Sequence, residues 1–383
     1  MKYLLLFLFA LTTSTALAQQ RHDMVMMVDS VPREFIVVRP SGAVPAGGYP
    51  IVFMFHGSSG NGGQFYNISG WKEKGEEEKF ITVFPSSLEY CLLDSGRPQH
   101  RTTKWNTGEL EEEGCPGQLY KDDVHFVRMM LDTIEQIFPI DQRRIYASGF
   151  SNGGVFVSKL AIEMSDVFAA LTVAAGALHP RDSGAPARPI PFVYIVGNKD
   201  SHALERIGLP EIPFNDSAMM ILSNVVNRYL PIFNLAPVYT KTETPGAIIW
   251  SYNTPATAAP SSEFRISLIR DMDHQYPNGN NHPAVAANVF WQFFKQFSLP
   301  SGVADERSSE GGITIYPNPA RTYVTVTGAG TTRIVLRNLI GQPVLEQQTG
   351  PGATISIEGL PAGLYIMEMQ TPKGVTTRML RIE

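Results

Sequence analysis

The sequence predicts an α/β fold, a mostly parallel sheet covered by helices, followed by a small all-β sandwich. Three observations carry this. Apolar strand-length runs alternate with helical patterns over residues 19–299, a polar Gly/Ser-rich stretch occupies 300–312, and the apolar period switches to two over 313–383.

The strand-length runs are Phe35–Val38, Pro50–Phe55, Phe80–Phe84, Arg144–Ser148, Ala169–Ala174, Phe192–Val196 and Phe264–Ile269. Several are almost continuously apolar, as strands buried on both faces of a parallel sheet must be. Helical periodicity predicts helices over Val124–Phe138, Val155–Met164 and Pro283–Phe297, the last opened by a proline at its first turn. Alternation of this kind builds a parallel sheet with helices on its faces.

The stretch PSGVADERSSEGG reads as a flexible linker. Beyond it, Val324 and Val326 alternate with threonines, and Ile334/Leu336, Ile355/Ile357 and Tyr365/Met367/Met369 follow the same period between Gly-, Asn- and Pro-bearing turns. Six or seven short strands without a helix predict a β-sandwich.

The chain of 383 residues opens with MKYLLLFLFALTTSTALAQQ. A basic start, an apolar run too short to span a bilayer and an Ala-x-Ala site predict a secretory signal peptide over residues 1–18. No later stretch predicts a stable membrane span. A net charge of −5 without any basic block argues against nucleic acid as a partner. In an oxidising compartment the two cysteines, Cys91 and Cys115, predict one disulfide closing a loop; a reactive thiol pair or a metal site is the alternative, without zinc-ligand spacing to support it. No metal or cofactor is expected. Asp271, Asp273, His274 and His282 cluster in sequence but lack a recognised ligand spacing.

The chemistry centres on Gly149-Phe150-Ser151-Asn152-Gly153, a G-x-S-x-G between a strand pattern and a helix pattern. That setting suits a nucleophile held on a sharp strand-to-helix turn, where side chains two residues either side would clash. The turn aims the Asn152 amide and the helix N-terminus at the reacting centre. In this arrangement an acid and then a histidine follow the serine along the chain. Asp200 ends the run Phe192–Val196 after a short Gly-Asn-Lys turn and is the expected acid; Asp182 and Asp216 lie in looser segments. His274, in the loop after FRISLI, is the expected base. His202 lies only two residues past Asp200, too near to bridge from acid to serine, and His282 reads alternatively as a helix N-terminal residue. Asp271 and Asp273 compete for the acid role. The second oxyanion donor is expected at the Ser58 amide, after the strand ending in His56-Gly57; His56 itself precedes the serine and shapes the loop or touches substrate. Trp105 and Tyr276, with Tyr66 and Tyr120, are loop aromatics suited either to stacking on substrate or to packing. Asp122 and Asp123 open a helix, where carboxylates suit its dipole.

PIVFMFHGSSGNG, GWKEKGEEEKFITVFPSS, WNTG, DDVHFV, RRIYASGFSNGG and DHQYPNG, in this order, resemble the secreted polyhydroxybutyrate depolymerase and feruloyl esterase family. The resemblance implies an α/β-hydrolase fold, the triad Ser151, Asp200 and His274, and backbone donors at Ser58 and Asn152. Relatives often carry a cysteine where this chain has Ser58, and the span 202–263 is long and able to build part of the cleft. Separately, YPNPARTYVTV, VLRNLIGQPVLEQ and GLPAGLYIMEM resemble the type IX secretion sorting domain, against the alternative of a polymer-binding sandwich. This second resemblance implies export through the outer membrane and the type IX secretion machinery as a partner. The expected function is hydrolysis of carboxylic esters, on feruloyl- or acetyl-bearing plant polysaccharide. The alternatives are a polyhydroxyalkanoate depolymerase, a serine peptidase of the same fold, or a non-catalytic surface-binding protein.

Overall fold

The computed structural model describes residues 18–93, 98–255, 262–299 and 314–382, the last with breaks at 317, 319, 328–329, 331–332, 339–340, 351 and 372–373. The expected signal peptide, apart from Ala18, and the expected linker at 300–312 lie outside the described residues.

The chain runs β1 (Gln20–Val28), β2 (Val31–Arg39), β3 (Tyr49–Phe55), α1 (Gly62–Ile68), α2 (Trp71–Glu78), β4 (Ile81–Pro85), β5 (Glu89–Leu92), β6 (His100–Thr103), α3 (Gly108–Glu113), α4 (Asp123–Ile137), β7 (Ile140–Phe150) and α5 (Asn152–Glu163). It continues through β8 (Ala170–Ala174), β9 (Phe192–Gly197), α6 (Ser201–Ile207), α7 (Ala218–Ile232), β10 (Tyr239–Glu243), β11 (Ala247–Asn253), β12 (Glu263–Ile269) and α8 (Ala286–Phe294). One sheet of ten strands has the order β1-β2-β4-β3-β7-β8-β9-β12-β11-β10. Its middle, from β4 to β12, is parallel. An antiparallel pair closes each edge. This is an α/β-hydrolase architecture.

Burial explains the pattern. Every residue of β3, β4, β8 and β9 is buried, because helices cover both faces. Phe126, Val127 and Met130 of α4, Phe156 and Leu160 of α5, and Leu222, Val226 and Tyr229 of α7 pack in one core layer. Trp71 of α2 and Phe290, Trp291 and Phe294 of α8 pack in the other. Asp122 caps α4 by accepting the His125 amide at 2.9 Å, a contact worth about 1 kcal/mol. Asp123, one residue later, is buried in an ion pair with Arg33 at 2.6 Å. Both open the helix as structural carboxylates.

The sequence-based reading differs from the structure at the edges. The last helix begins at Ala286 rather than Pro283, because His282 and Asn278 bind the preceding backbone into a turn, with Asn278 bridging to Val285. The predicted run Phe35–Val38 lies in β2, but β1 and the β10–β11 pair have no counterpart in the sequence reading; they extend the parallel sheet rather than belonging to its alternation.

The C-terminal region is all β among the described residues. Strands β13 (Thr314–Tyr316), β14 (Tyr323–Thr327) and β17 (Ala353–Ser356) form one sheet; β15 (Arg333–Asn338), β16 (Pro343–Gln348), β18 (Gly363–Thr371) and β19 (Gly374–Ile382) form another. Val324, Val326, Ile334, Leu336, Ile355, Tyr365, Met367 and Met369 share one core. The period-two pattern of the sequence is the inward face of these strands.

Candidate active site

Ser151 sits between β7 and α5 with φ +51° and ψ −125°, a region that side chains other than glycine seldom occupy. The surrounding glycines make this turn possible. A Cβ on Gly149 would lie 2.3 Å from the Gly153 oxygen, and one on Gly153 would lie 2.3 Å from the His56 oxygen. Both positions therefore exclude any larger residue. The loop after β3 presses against the serine: a Cβ on Gly57 would stand 3.2 Å from the Ser151 Cβ. Ser58 follows it and is exposed. The Asn152 amide opens α5, so it belongs to the first-turn N–H groups that a helix leaves without an internal partner.

The loop after β9 supplies Asp200, and the loop after β12 supplies His274. The His274 Nε2 lies 2.9 Å from the Ser151 Oγ, and its Nδ1 lies 3.0 Å from the Asp200 Oδ2. An ionised carboxylate can only accept, so Nδ1 carries the proton and Nε2 is left free to accept from the hydroxyl. Asp200 is buried, whereas His274 and Ser151 are partly accessible. The two loops are tied together. Asp273 accepts the Ser201 amide at 2.9 Å and the His274 amide at 2.6 Å, and these bonds hold its carboxyl below the usual range. Asp271 instead pairs with exposed Lys199. His282 bonds the Arg270 oxygen at 3.0 Å and accepts the Ala284 amide. The only imidazole this arrangement brings to the serine, among the described residues, is that of His274. A serine hydroxyl, an oriented imidazole and a buried carboxylate in line are the parts of a proton relay to a nucleophile.

Residues 31–291 match the family described as "Putative esterase". The chain belongs to this esterase family. Residues 314–383 match the secretion system C-terminal sorting domain, which directs type IX export to the cell surface or beyond. The esterase chain is 25% identical over 272 residues to feruloyl esterase B of Piromyces equi, covering 70% of this chain and 46% of that one. It is 24% identical over 170 residues to a bifunctional acetylxylan esterase/xylanase of Neocallimastix patriciarum, covering 44% of this chain and 21% of the relative. It therefore spans less than half the length of these curated relatives. Among solved structures it is similar to an acetyl xylan esterase from Aspergillus awamori, with 14% identity, a TM-score of 0.46, and 72% of this chain and 99% of that chain covered.

The structure places the other expected site residues of this esterase away from any accessible wall. His56 is fully buried; its Nδ1 donates to the Gly57 oxygen at 2.7 Å and its Nε2 accepts the Ser87 amide at 3.0 Å. Burial pushes its pKa down to about 4, which keeps the ring neutral and suited to that pair of bonds. Trp105 is also fully buried. Its indole N–H donates to the His56 oxygen at 2.9 Å and its amide donates to the Asn152 side chain at 2.7 Å, so it joins the loop after β3 to the turn that carries Ser151. Tyr276 is buried with its hydroxyl 2.8 Å from the Trp71 indole nitrogen. These three rings build the site from behind, because each polar end already has a partner inside the protein. Tyr66 packs on Phe84 and lies under Arg21 and Lys72, and Tyr120 packs on Tyr90.

A disulfide joins Cys91 of β5, in the β5–β6 hairpin, to Cys115 after α3. That hairpin supports the loop after β3: the Ser59 amide donates to the Thr103 oxygen at 2.9 Å, and the Thr103 hydroxyl donates to the Gly60 oxygen at 2.7 Å. One residue of the site was missed in the sequence. His202 stacks on His274 with ring centroids 3.9 Å apart and planes 13° from parallel. Among the described residues no helix is long and apolar enough to cross a membrane.

Proposed function

We propose that this protein is an exported serine esterase that releases feruloyl or acetyl groups from plant polysaccharide. The observation that supports it most is the line from Asp200 through His274 to Ser151, with 3.0 Å and 2.9 Å between the heavy atoms. In the reaction, His274 Nε2 takes the hydroxyl proton as the Ser151 Oγ bonds to the ester carbonyl carbon. The Ser58 and Asn152 amides hold the oxyanion of the tetrahedral intermediate, and each such donor lowers the barrier by about 3 kcal/mol. The bond to the alcohol oxygen breaks, and His274 returns the proton to that oxygen. Water then enters with the same proton transfers, freeing the acid and the serine. Asp200 holds the ring in the required tautomer throughout. An export signal fits a substrate too large to import, and the feruloyl and acetylxylan esterases among the relatives suggest the acyl groups.

Hydrolysis of methyl ferulate, acetylated xylan, polyhydroxybutyrate and casein, measured side by side, tests this reading. Turnover of either of the first two, abolished in Ser151→Ala, is expected. Turnover of polyhydroxybutyrate alone, or of peptides alone, would overturn the assigned substrate class.

A further inference from the structure

His202 is the second residue of α6, and Asp200 is the cap of that same helix, accepting the Ala203 amide at 2.9 Å. The helix therefore carries both the acid and the ring that lies on the base. Phe150 also packs against the His274 ring, with centroids 5.1 Å apart. His274 rotates about two bonds, and its hydrogen bond to Asp200 restrains only one end of the ring. A nearly parallel ring at 3.9 Å restrains its plane. We propose that His202 is a positioning residue of the ester hydrolysis: it fixes the plane of His274 and, while neutral, supports the imidazolium that forms in every acyl-transfer step. This rests on the esterase reading given above.

The electrostatics agree with the geometry. A neutral aromatic ring presents a negative face to a cation stacked on it, while a protonated one repels it. Partial desolvation under the stacked ring lowers the pKa of the otherwise exposed His202, and His274 and Arg206 lower it further, against Asp200 and Glu205, which raise it. Asp273 also faces this end of the helix through the Ser201 amide. His202 is thus kept neutral down into its ordinary titration range. As the pH falls it gains a proton and opposes the charge that His274 must carry. The acid limb of the native rate profile is then steeper than that of a variant whose ring at position 202 cannot titrate.

The full chain is assayed with p-nitrophenyl acetate from pH 4 to 9, alongside His202→Ala, His202→Phe and His202→Arg. His202→Ala should lower kcat about fivefold near neutral pH with KM changed less than about twofold. His202→Phe, which keeps a stacked ring but no titration, should recover most of kcat and make the acid limb shallower than that of the native protein. His202→Arg, a permanent cation, should be slower than His202→Phe at every pH. Superimposable profiles for native protein and His202→Ala would overturn the proposal. If the alanine variant failed to fold, equal rates in the Phe and Arg variants would do the same. A native chain that hydrolysed no ester would remove the esterase reading and this proposal with it.

Discussion

The two sides of the site are held by different forces. On the serine side, Gly149 and Gly153 bring backbone against backbone, Gly57 packs against the Phe150 and Ser151 side chains, and His56 and Trp105 are sealed behind them. On the acid–base side, Asp200, Asp273 and His202 hold His274 through hydrogen bonds and a stacked ring, and His202 and Asp273 are exposed. The first side is fixed by steric exclusion, where small errors are intolerable. The second is fixed by polar contacts, which can be weakened one at a time. Damage to the serine side should therefore appear as lost stability, and damage to the other side as lost rate.

The largest effect expected is from Gly153→Ala. Its Cβ would meet backbone oxygens at 2.3 and 2.4 Å, so β3 or α5 must move. A loss of about 4 kcal/mol or more is expected, read by denaturant unfolding, with activity falling alongside the folded fraction. A folded variant of native stability would break the distinction between the two sides.

The legibility of the site follows the same division. The G-x-S-x-G motif was readable because steric exclusion dictates residue type, leaving glycine as the only solution at 149 and 153. Asp200 and His274 were readable by position, each in a loop just after a buried strand. The parallel strands announced themselves as apolar runs because both their faces are covered. Strand β1 did not, although Met24, Met26 and Val28 alternate inward, because its turn into β2 uses Asp29 and Ser30 at φ +49° and +65° without a glycine to signal it. His56, Trp105 and Tyr276 had two readings, stacking on substrate or packing behind the loop. Which one holds depends on burial, and burial is a property of the fold rather than of the residue. His202 looked too near Asp200 to matter. The same proximity carries it to His274, since the acid and the base touch.

A smaller effect distinguishes the sides by pH. His56 has its pKa pushed down to about 4 by burial, while in the unfolded chain it returns to the ordinary range. The unfolded state then binds the extra proton between about pH 6.5 and 4, so stability is complete above this window and declines as the pH falls through it. The decline attributable to His56 is about 3 kcal/mol at most. Unfolding curves at pH 7 and pH 5 should show it, and His56→Gln, which cannot take up the proton, should show a shallower dependence. Equal dependence in both proteins would mean that the buried ring does not govern acid stability.

The most direct test of the central claim is peptide mapping by mass spectrometry after a fluorophosphonate reacts with the native protein and with His274→Ala. The account predicts one adduct, on Ser151, formed rapidly in the native protein and slowed at least about a thousandfold in the variant. An adduct on another residue, or equal labelling of Ser151 in both proteins, would contradict it.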